Sequence, residues 1–378
     1  MKLFQIIIPV FQTKNMFLLC INSLIETLTY PTELIIINDN SPFSCKELIL
    51  QEEEIPKILN IKYVEHSFCH GFAKSINEGL DYVTDARYVI FADSDIIFTA
   101  GWQDAVITTL QDCSVGAVSG VFLYPQSEGI QCCGIAYQNY LARHIYLNNK
   151  ISQLSLAPIF DVQSTIFAFL AVKNDIVKKI GKLDEHFFNG YEDVDYQFRI
   201  RQNGYRIVTN TNMQFYHFEK SNGIHRQYQR KQNLGVFWAK HSSEVKNDLI
   251  NFLQIQLEAR KQLSKHFVLI NMSEAPNDAN IIIEFLKTKL SIDTVLNLSN
   301  ECSIEQKIWL SELLSSDSYA LPKPYILLCD NFVQLTENAY WFKLRSQYNE
   351  KDMIIDLCAN VIPFTALCGE CWPGNKIR

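Results

Sequence analysis

The chain has 378 residues, 48% hydrophobic and 20% charged, which fits a globular protein with room for a large core. Its formal net charge of −7 and pI of about 5.7 argue against nucleic acid as a partner, because a phosphate backbone calls for a basic face. A single nucleotide is not excluded, since one metal ion neutralises its phosphates locally. The length suggests two domains, or one large domain with an appendage.

Met1 to Val10 has one Lys and a short apolar run, which is not a secretory signal. No stretch approaches the roughly 20 apolar residues of a membrane span. The 11 cysteines are odd in number and irregular in spacing, and Cys20, Cys329 and Cys358 sit inside apolar runs. Most read as reduced, buried thiols, so the expected location is cytoplasmic, with room for peripheral contact at a membrane. Cys368 and Cys371 form a CxxC with Cys358 upstream, a weak zinc candidate because a paired fourth ligand is missing.

Leu3 to Val10 reads as a buried parallel strand. Asn15 to Leu28 has helical spacing, and Glu33 to Ile37 is a second buried strand that runs into the turn Asn38–Pro42. Ile61 to Glu65 is a third strand, Gly71 to Val83 a helix, and Tyr88 to Ala92 a fourth strand. This alternation predicts a parallel sheet with helices on both faces and ligands at the carboxyl ends of its strands. Gly116 to Leu123 and Ser164 to Val172 read as strands, Asp193 to Gln202 as a helix, and Arg206 to Val208 and Gln214 to His217 as short strands. Ser221 to Ala239 is basic and aromatic, and His225, Arg226, Tyr228, Arg230 and Lys231 suit either a mobile lid or a solvated surface. Ser243 to Leu263 is an amphipathic helix and the best boundary. The tail repeats the alternation: strand Phe267–Asn271, helix Asn277–Leu290, strand Thr294–Leu298, helix Ser303–Leu314, strand Tyr325–Cys329. The expected domains are 1–240, a connecting helix over 241–265, and a small α/β domain over 266–378.

Asp93-Ser94-Asp95 lies just past an apolar strand, where two carboxylates can reach one divalent cation. A turn or helix cap is the alternative. Asp39, also past a strand, suits a pyrimidine imide or a ribose, or equally an Asx turn. Glu192-Asp193 opens a helix, with Asp195 close behind. Acids there satisfy the helix dipole, and one of them suits a general base. His217 ends an aromatic run. It is either a packed core residue or a nitrogen ligand, which beside carboxylates suits manganese better than magnesium. Gly71 to Lys74, then Asn77, open a helix whose N–H groups and lysine suit phosphate or ribose, or simply start the helix.

Taken in order, these segments resemble family 2 of the glycosyltransferases, whose nucleotide-binding fold is GT-A, a Rossmann-like mixed sheet flanked by helices. The resemblance is carried by Ile6–Phe11, Ser23-Leu24, Ile35–Ser41, Gly71, Ala73, Asn77 and Asp93–Asp95. In the second half it is carried by Gly181, Leu183 to Glu185, Gly190–Asp195, Arg199, Gly204–Ile207 and His217. It covers roughly residues 1 to 240. It implies an inverting transfer of a hexosyl or N-acetylhexosaminyl group from a nucleotide diphosphate, UDP favoured, to an acceptor hydroxyl in surface glycan or polysaccharide assembly. It implies Asp193 as base with Glu192 beside it, and donor contacts from Pro9, Phe11, Asp39, Lys74, Asn77, Asp93 and Ser94. It also implies a manganese or magnesium ion on Asp93, Asp95 and His217. The acceptor is a glycan, glycolipid or protein, and homo-oligomerisation is left open. Asn38 departs from the acid usual at that position. The tail faintly resembles a thioredoxin- or glutaredoxin-like unit without its redox CxxC. Two rivals are a nucleotidyltransferase, which would want a Gly-rich basic loop where Pro9 to Asn15 has none, and a scaffold that binds sugar nucleotides without catalysis.

Overall fold

The computed structural model describes residues 2–12, 14–50, 55–139, 141–187, 190–218, 223–260, 267–297, 324–332 and 351–363, with 223–231 and 293 described for the backbone only. The expected helix over Ser303–Leu314, the Leu321–Lys323 segment, Asn189, the pair Cys368 and Cys371, and the side chains of His225 to Lys231 fall outside the described residues.

In chain order the elements are β1 (Phe4–Val10), α1 (Lys14–Thr27), β2 (Thr32–Asn38), α2 (Cys45–Leu50), β3 (Leu59–Glu65), α3 (Phe72–Asp81), β4 (Tyr88–Ala92), β5 (Ile96–Ile97) and α4 (Trp102–Thr109). There follow β6 (Val115–Leu123), β7 (Ile130–Cys132), β8 (Ile135–Gln138), β9 (Leu141–His144), β10 (Ile159–Val162), β11 (Phe169–Lys173), α5 (Asn174–Ile180), α6 (Glu192–Gln202), β12 (Arg206–His217) and α7 (Gly223–His241). The chain continues through α8 (Leu249–Ala259), β13 (Phe267–Asn271), α9 (Pro276–Lys289), β14 (Ile292–Asn297), β15 (Tyr325–Cys329), β16 (Met353–Asp356) and β17 (Val361–Pro363).

These fall into two compact units. Met1–Ile135 with Leu156–Val245 form the first, and Ala136–Ser155 with Lys246–Arg378 form the second. The division differs from the expected cut in giving residues 136–155 and α8 to the second unit. Long-range polar contacts explain it. Arg143 pairs with the buried Asp278, Tyr137 donates its amide to Asp248, and Asn360 donates to the Leu147 carbonyl. Linear reading gives no sign of such an insertion.

The first unit is built on a sheet ordered β10-β12-β6-β11-β4-β1-β2-β3. Ile6, Ile7 and Ile8 are fully buried, as a strand covered on both faces requires. β1 runs parallel to β2 and to β4, with Ile7 opposite both Ile35 and Phe91. Helix α3 packs on β1 so closely that a Cβ on Gly79 would come 2.4 Å from Ile7 Cγ2. Under the other half of the sheet, Trp102 and Phe98 meet Phe169, and Phe169 stacks on Phe215 at 4.4 Å. Such tilted and offset ring packing fixes large side chains in place.

Two expected strands change form. Of Ser164 to Val172, only the part from Phe169 onward is strand. Thr165 instead exchanges both backbone hydrogen bonds with the Gln197 amide of α6. The two short strands expected over 206–217 are one strand, β12, interrupted between Thr209 and Gln214 where its register against β6 shifts. Within the segment Ser221 to Ala239, the described part from Gly223 onward is helical, as α7.

The second unit's sheet has the order β14-β13-β15-β16-β17, with β13 to β16 parallel and β17 antiparallel. In sequence terms this is 2-1-3-4-5, the flavodoxin-like doubly wound order. Among the described residues, no helix is long and apolar enough to cross a membrane.

Candidate functional site

The strand order reverses at β1 in the first unit: β2 and β3 lie on one side and β4 on the other. In an open α/β sheet the crevice beyond the carboxyl ends of such strands is where ligands bind. Three segments end there. Pro9 lies near the end of β1 and the exposed Phe11 follows it, Asp39 follows β2, and Asp93 to Asp95 follow β4. Asp39 donates its amide to the Val10 carbonyl at 2.9 Å, and Asp93 donates to Ala168 at 3.1 Å, so both turns are tied to their neighbours.

His217 reaches this edge through a strand pairing. β5, directly after the Asp-Ser-Asp turn, runs antiparallel to the end of β12, with His217 opposite Ile96. Phe218 then donates its amide to the Asp95 carbonyl. The His217 Nε2 comes to lie 3.3 Å from Asp95 Oδ1 and 3.7 Å from Asp93 Oδ2. Each of the three residues offers one ligand atom within 4.8 Å of the others. The opposite ring nitrogen, Nδ1, lies 2.6 Å from the Gln131 side-chain oxygen. An amide oxygen only accepts, so Nδ1 carries a proton, and Nε2, which faces the two carboxylates, is the atom that a metal would take. A proton on Nδ1, held by an outer hydrogen bond, is what a ligand through Nε2 needs. The donor set, one imidazole and two carboxylates, fits a divalent cation of the manganese or magnesium kind. Ser94, between the two acids, is buried.

Helix α6 supplies the acidic side of the site. It starts after Gly190 at φ 143° and Tyr191 at φ 72°. A tyrosine in the left-handed region is uncommon, and such strain gathers at functional turns. Glu192 is buried and accepts the Gly190 amide at 2.6 Å. Burial, then the neighbouring charge of Asp193, then that of Asp93 push its carboxyl well above the ordinary range. Glu192 therefore senses the charge of the Asp-Ser-Asp turn. Asp193 is half-buried, and its Oδ1 accepts the Val194 amide at 2.8 Å. Asp195 is fully buried and faces elsewhere. Burial favours its neutral form, but hydrogen bonds from His241 and Lys240 and the charge of Arg199 outweigh that and hold it low. It anchors α7 to α6.

The remaining expected residues take different positions. Asp39 is buried, with each oxygen receiving two donors: His66 Nδ1 and the His70 amide on Oδ1, the Cys69 thiol and the Gly71 amide on Oδ2. Burial raises its proton affinity, but these bonds lower it further. Gly71 can supply its amide because it sits at φ 88°. Asn77 is buried and turns its amide to Leu183 and Glu185, bracing α3 against the loop before α6. Lys74 is exposed on α3. Sequence reasoning missed Gln131, Gln197, Lys240 and His241. All act on partners more than 30 residues away, so no local pattern marks them.

Residues 5–149 match the model of Glycosyl transferase family 2. O-antigen biosynthesis protein RfbC of Myxococcus xanthus is 21% identical over 226 residues, which is 57% of this chain and 17% of that protein. The chain thus spans about a sixth of that relative's length. The structure of GalNAc-T7 with UDP, GalNAc and Mn2+ aligns with TM-score 0.50 and 12% identity, covering 68% of this chain and 51% of that one. The mannosyltransferase PcManGT from Pyrobaculum calidifontis, in complex with GDP-Man and Mn2+, aligns with TM-score 0.49 and 18% identity over 84% and 81% of the two chains. The matched segment runs from β1 past the Asp-Ser-Asp turn, so over residues 5–149 the chain is similar to glycosyl transferase family 2, and its first unit has the GT-A fold.

Proposed function

We propose that this chain is an inverting glycosyltransferase that moves a sugar from a nucleotide diphosphate to an acceptor hydroxyl in glycan assembly. The carrying observation is the group Asp93, Asp95 and His217, with the imidazole held by Gln131 so that its Nε2 faces the carboxylates. A divalent ion held there supplies Lewis-acid stabilisation of the departing diphosphate. GalNAc-T7 carries UDP and Mn2+, and the relative's printed name concerns O-antigen biosynthesis, which supports the substrate class. UDP is the favoured nucleotide, and manganese the favoured ion because a nitrogen ligand is present.

The residues of the chain then have these tasks. Pro9, Phe11 and Lys74 line the donor end beside Asp39, whose own oxygens shape the loop His66–Gly71 around it. Asp193 takes the proton from the acceptor hydroxyl as that oxygen forms its bond to the anomeric carbon and the bond to the diphosphate oxygen breaks. Attack opposite the leaving group inverts the configuration. Burial and the Asp193 charge favour the protonated form of Glu192, which would leave the pair with one negative charge. The partner acceptor is a glycan, glycolipid or protein.

The test is a thermal-shift screen of the whole chain against UDP, dTDP, GDP and CDP, with manganese or with chelator. At a hundredfold excess over the dissociation constant, a ligand raises apparent stability by about 2.7 kcal/mol. A manganese-dependent shift with one nucleotide is expected. Folded protein that answers to none of the four would leave the scaffold reading in its place.

A further inference from the structure

At the end of β3 a second group of ligating side chains stands apart from Asp93, Asp95 and His217. His66 follows β3, His70 precedes α3 and Glu78 lies within α3. Each offers one ligand atom, and these atoms lie within 4.8 Å of one another. His66 uses both ring nitrogens: Nδ1 is 2.8 Å from Asp39 Oδ1 and Nε2 is 2.7 Å from Glu78 Oε2. The His70 ring stacks on that of His66 at 4.3 Å between centroids. Its Nδ1 is buried and has no hydrogen-bond partner. A buried ring nitrogen without a partner is costly and calls for a ligand.

We propose that His66, His70 and Glu78 bind a second divalent transition metal of the zinc type. Two imidazoles and one carboxylate, with water in the fourth position, make an ordinary tetrahedral zinc environment. The nitrogen-rich donor set also separates this position from the first. Zinc outranks manganese for imidazole, whereas the pair Asp93 and Asp95 offers oxygen for the harder ion. Asp39 supplies the outer shell. A carboxylate that accepts from Nδ1–H directs Nε2 of His66 to the metal, the carboxylate–histidine–metal arrangement common in zinc proteins. Two ligands about 2.0–2.1 Å from one tetrahedral zinc lie about 3.3 Å apart. The present 2.7 Å contact therefore has to open, and the Glu78 side chain, 34% exposed, has room to turn. Coordination ties the His66–Gly71 loop to α3 and fixes Asp39. The last consequence rests on the reading of Asp39 as part of the donor site; the metal site itself does not.

The alternative is that a protonated His66 simply bridges Asp39 and Glu78, with no metal. Titration of the full chain, preloaded with manganese, with Zn2+ and separately with Co2+ decides between them. The proposal expects one zinc retained per chain and, for cobalt, the intense visible absorption of a four-coordinate nitrogen–oxygen site. His70→Ala and Glu78→Gln should each weaken zinc binding at least tenfold, while Asp95→Ala should keep the zinc and lose manganese-dependent nucleotide binding. Glu78→Gln, on a partly exposed helix position, guards against misfolding of the His70 variant. No zinc uptake by folded wild-type chain overturns the proposal. So does uptake that survives both substitutions or disappears with Asp95→Ala. Zinc bound with the expected dependencies, in a chain that answers to no nucleotide, would sink the transferase reading and leave this site standing.

Discussion

Each unit sets acidic residues at the carboxyl ends of parallel strands. In the first, Asp93 and Asp95 follow β4; in the second, Asp330 follows β15 and Asp356 closes β16. Their partners differ in kind. Asp356 is fully buried and receives the amides of Phe332, Cys358 and Asn360 and the Asn360 side chain. Asp330 is held by the Ser273 hydroxyl and the Glu274 amide. These donors belong to the unit's own loops, and they satisfy the carboxylates where they stand. Asp93 and Asp95 instead gather with His217 Nε2, 3.7 and 3.3 Å away, into one group of potential metal ligands. Position at a strand end therefore says little by itself. What marks a site is carboxylates and an imidazole brought from separate strands to one point, where a cation can join them. By the same measure, Asp39, saturated with four donors, sits nearer to Asp356 than to Asp95.

The strongest way to break this contrast is at the proposed base. Asp193→Asn keeps the side-chain shape and removes proton acceptance. Turnover should fall by about 10²- to 10⁴-fold while donor affinity stays near wild type. Parallel loss of nucleotide binding would make Asp193 a structural residue like Asp356. Glu192→Gln sharpens the comparison, since it should retain most activity if Asp193 alone takes the proton.

Next comes Asp356→Ala in the second unit. It leaves buried donors from Phe332, Cys358 and Asn360 without an acceptor. Each such group costs about 1–3 kcal/mol, so a loss of about 3 kcal/mol or more in urea unfolding is expected. Manganese-dependent nucleotide binding by the folded fraction should persist. A variant of unchanged stability would deny the structural role given to Asp356.

A smaller effect is expected at Gln131. Its oxygen fixes the His217 tautomer, and loss of such an outer partner typically weakens a metal by 10- to 100-fold. Gln131→Ala should raise the manganese dissociation constant by that factor in calorimetric titration. An unchanged constant would mean that Asp93 and Asp95 orient His217 unaided.

These residues also show what could be read from the sequence. Ile6 to Ile8, Leu34 to Ile37 and Tyr88 to Ala92 betray their strands because strands buried on both faces must be apolar throughout. Asp93, Asp95, Asp193 and His217 stand out because they interrupt such runs or open a helix. Gln131 does not: it sits on a three-residue strand, 86 positions from the histidine it orients. Asn77 was expected at the donor because it lies on the helix that opens beside the crevice. A contact across 106 residues, to Leu183, decides its direction instead. Residues 136–155 were assigned to the wrong unit for the same reason, since ion pairs such as Arg143 with Asp278 leave no periodicity behind. Local pattern reports burial and chain reversal. Pairings over long separations report only through the finished fold.

The subtlest test sets the two units against each other by pH. Burial, the largest influence on Asp356, raises its carboxyl from 3.8 to about 6 despite the hydrogen bonds it accepts. A raised folded value means that the native state holds the proton more tightly than the unfolded one. Its favourable contribution is complete below about pH 3.8 and is lost as pH rises through 6. Asp195 behaves oppositely. Its folded value is lowered, so its contribution is present above the ordinary carboxylate range and lost on acidification through the lowered value. Going from pH 7 to pH 5 should therefore strengthen amide-exchange protection in β16, on the order of 1 kcal/mol. In a Glu192→Gln background, which removes the raised carboxyl that opens α6, protection in α6 should hold over that interval and decline only below about pH 4. Asp195→Asn should remove this acid-limb decline, because the amide has no proton to gain. Exchange rates, corrected for their intrinsic pH dependence, that move together in β16 and α6 would show that the two buried carboxylates do not differ as their partners imply.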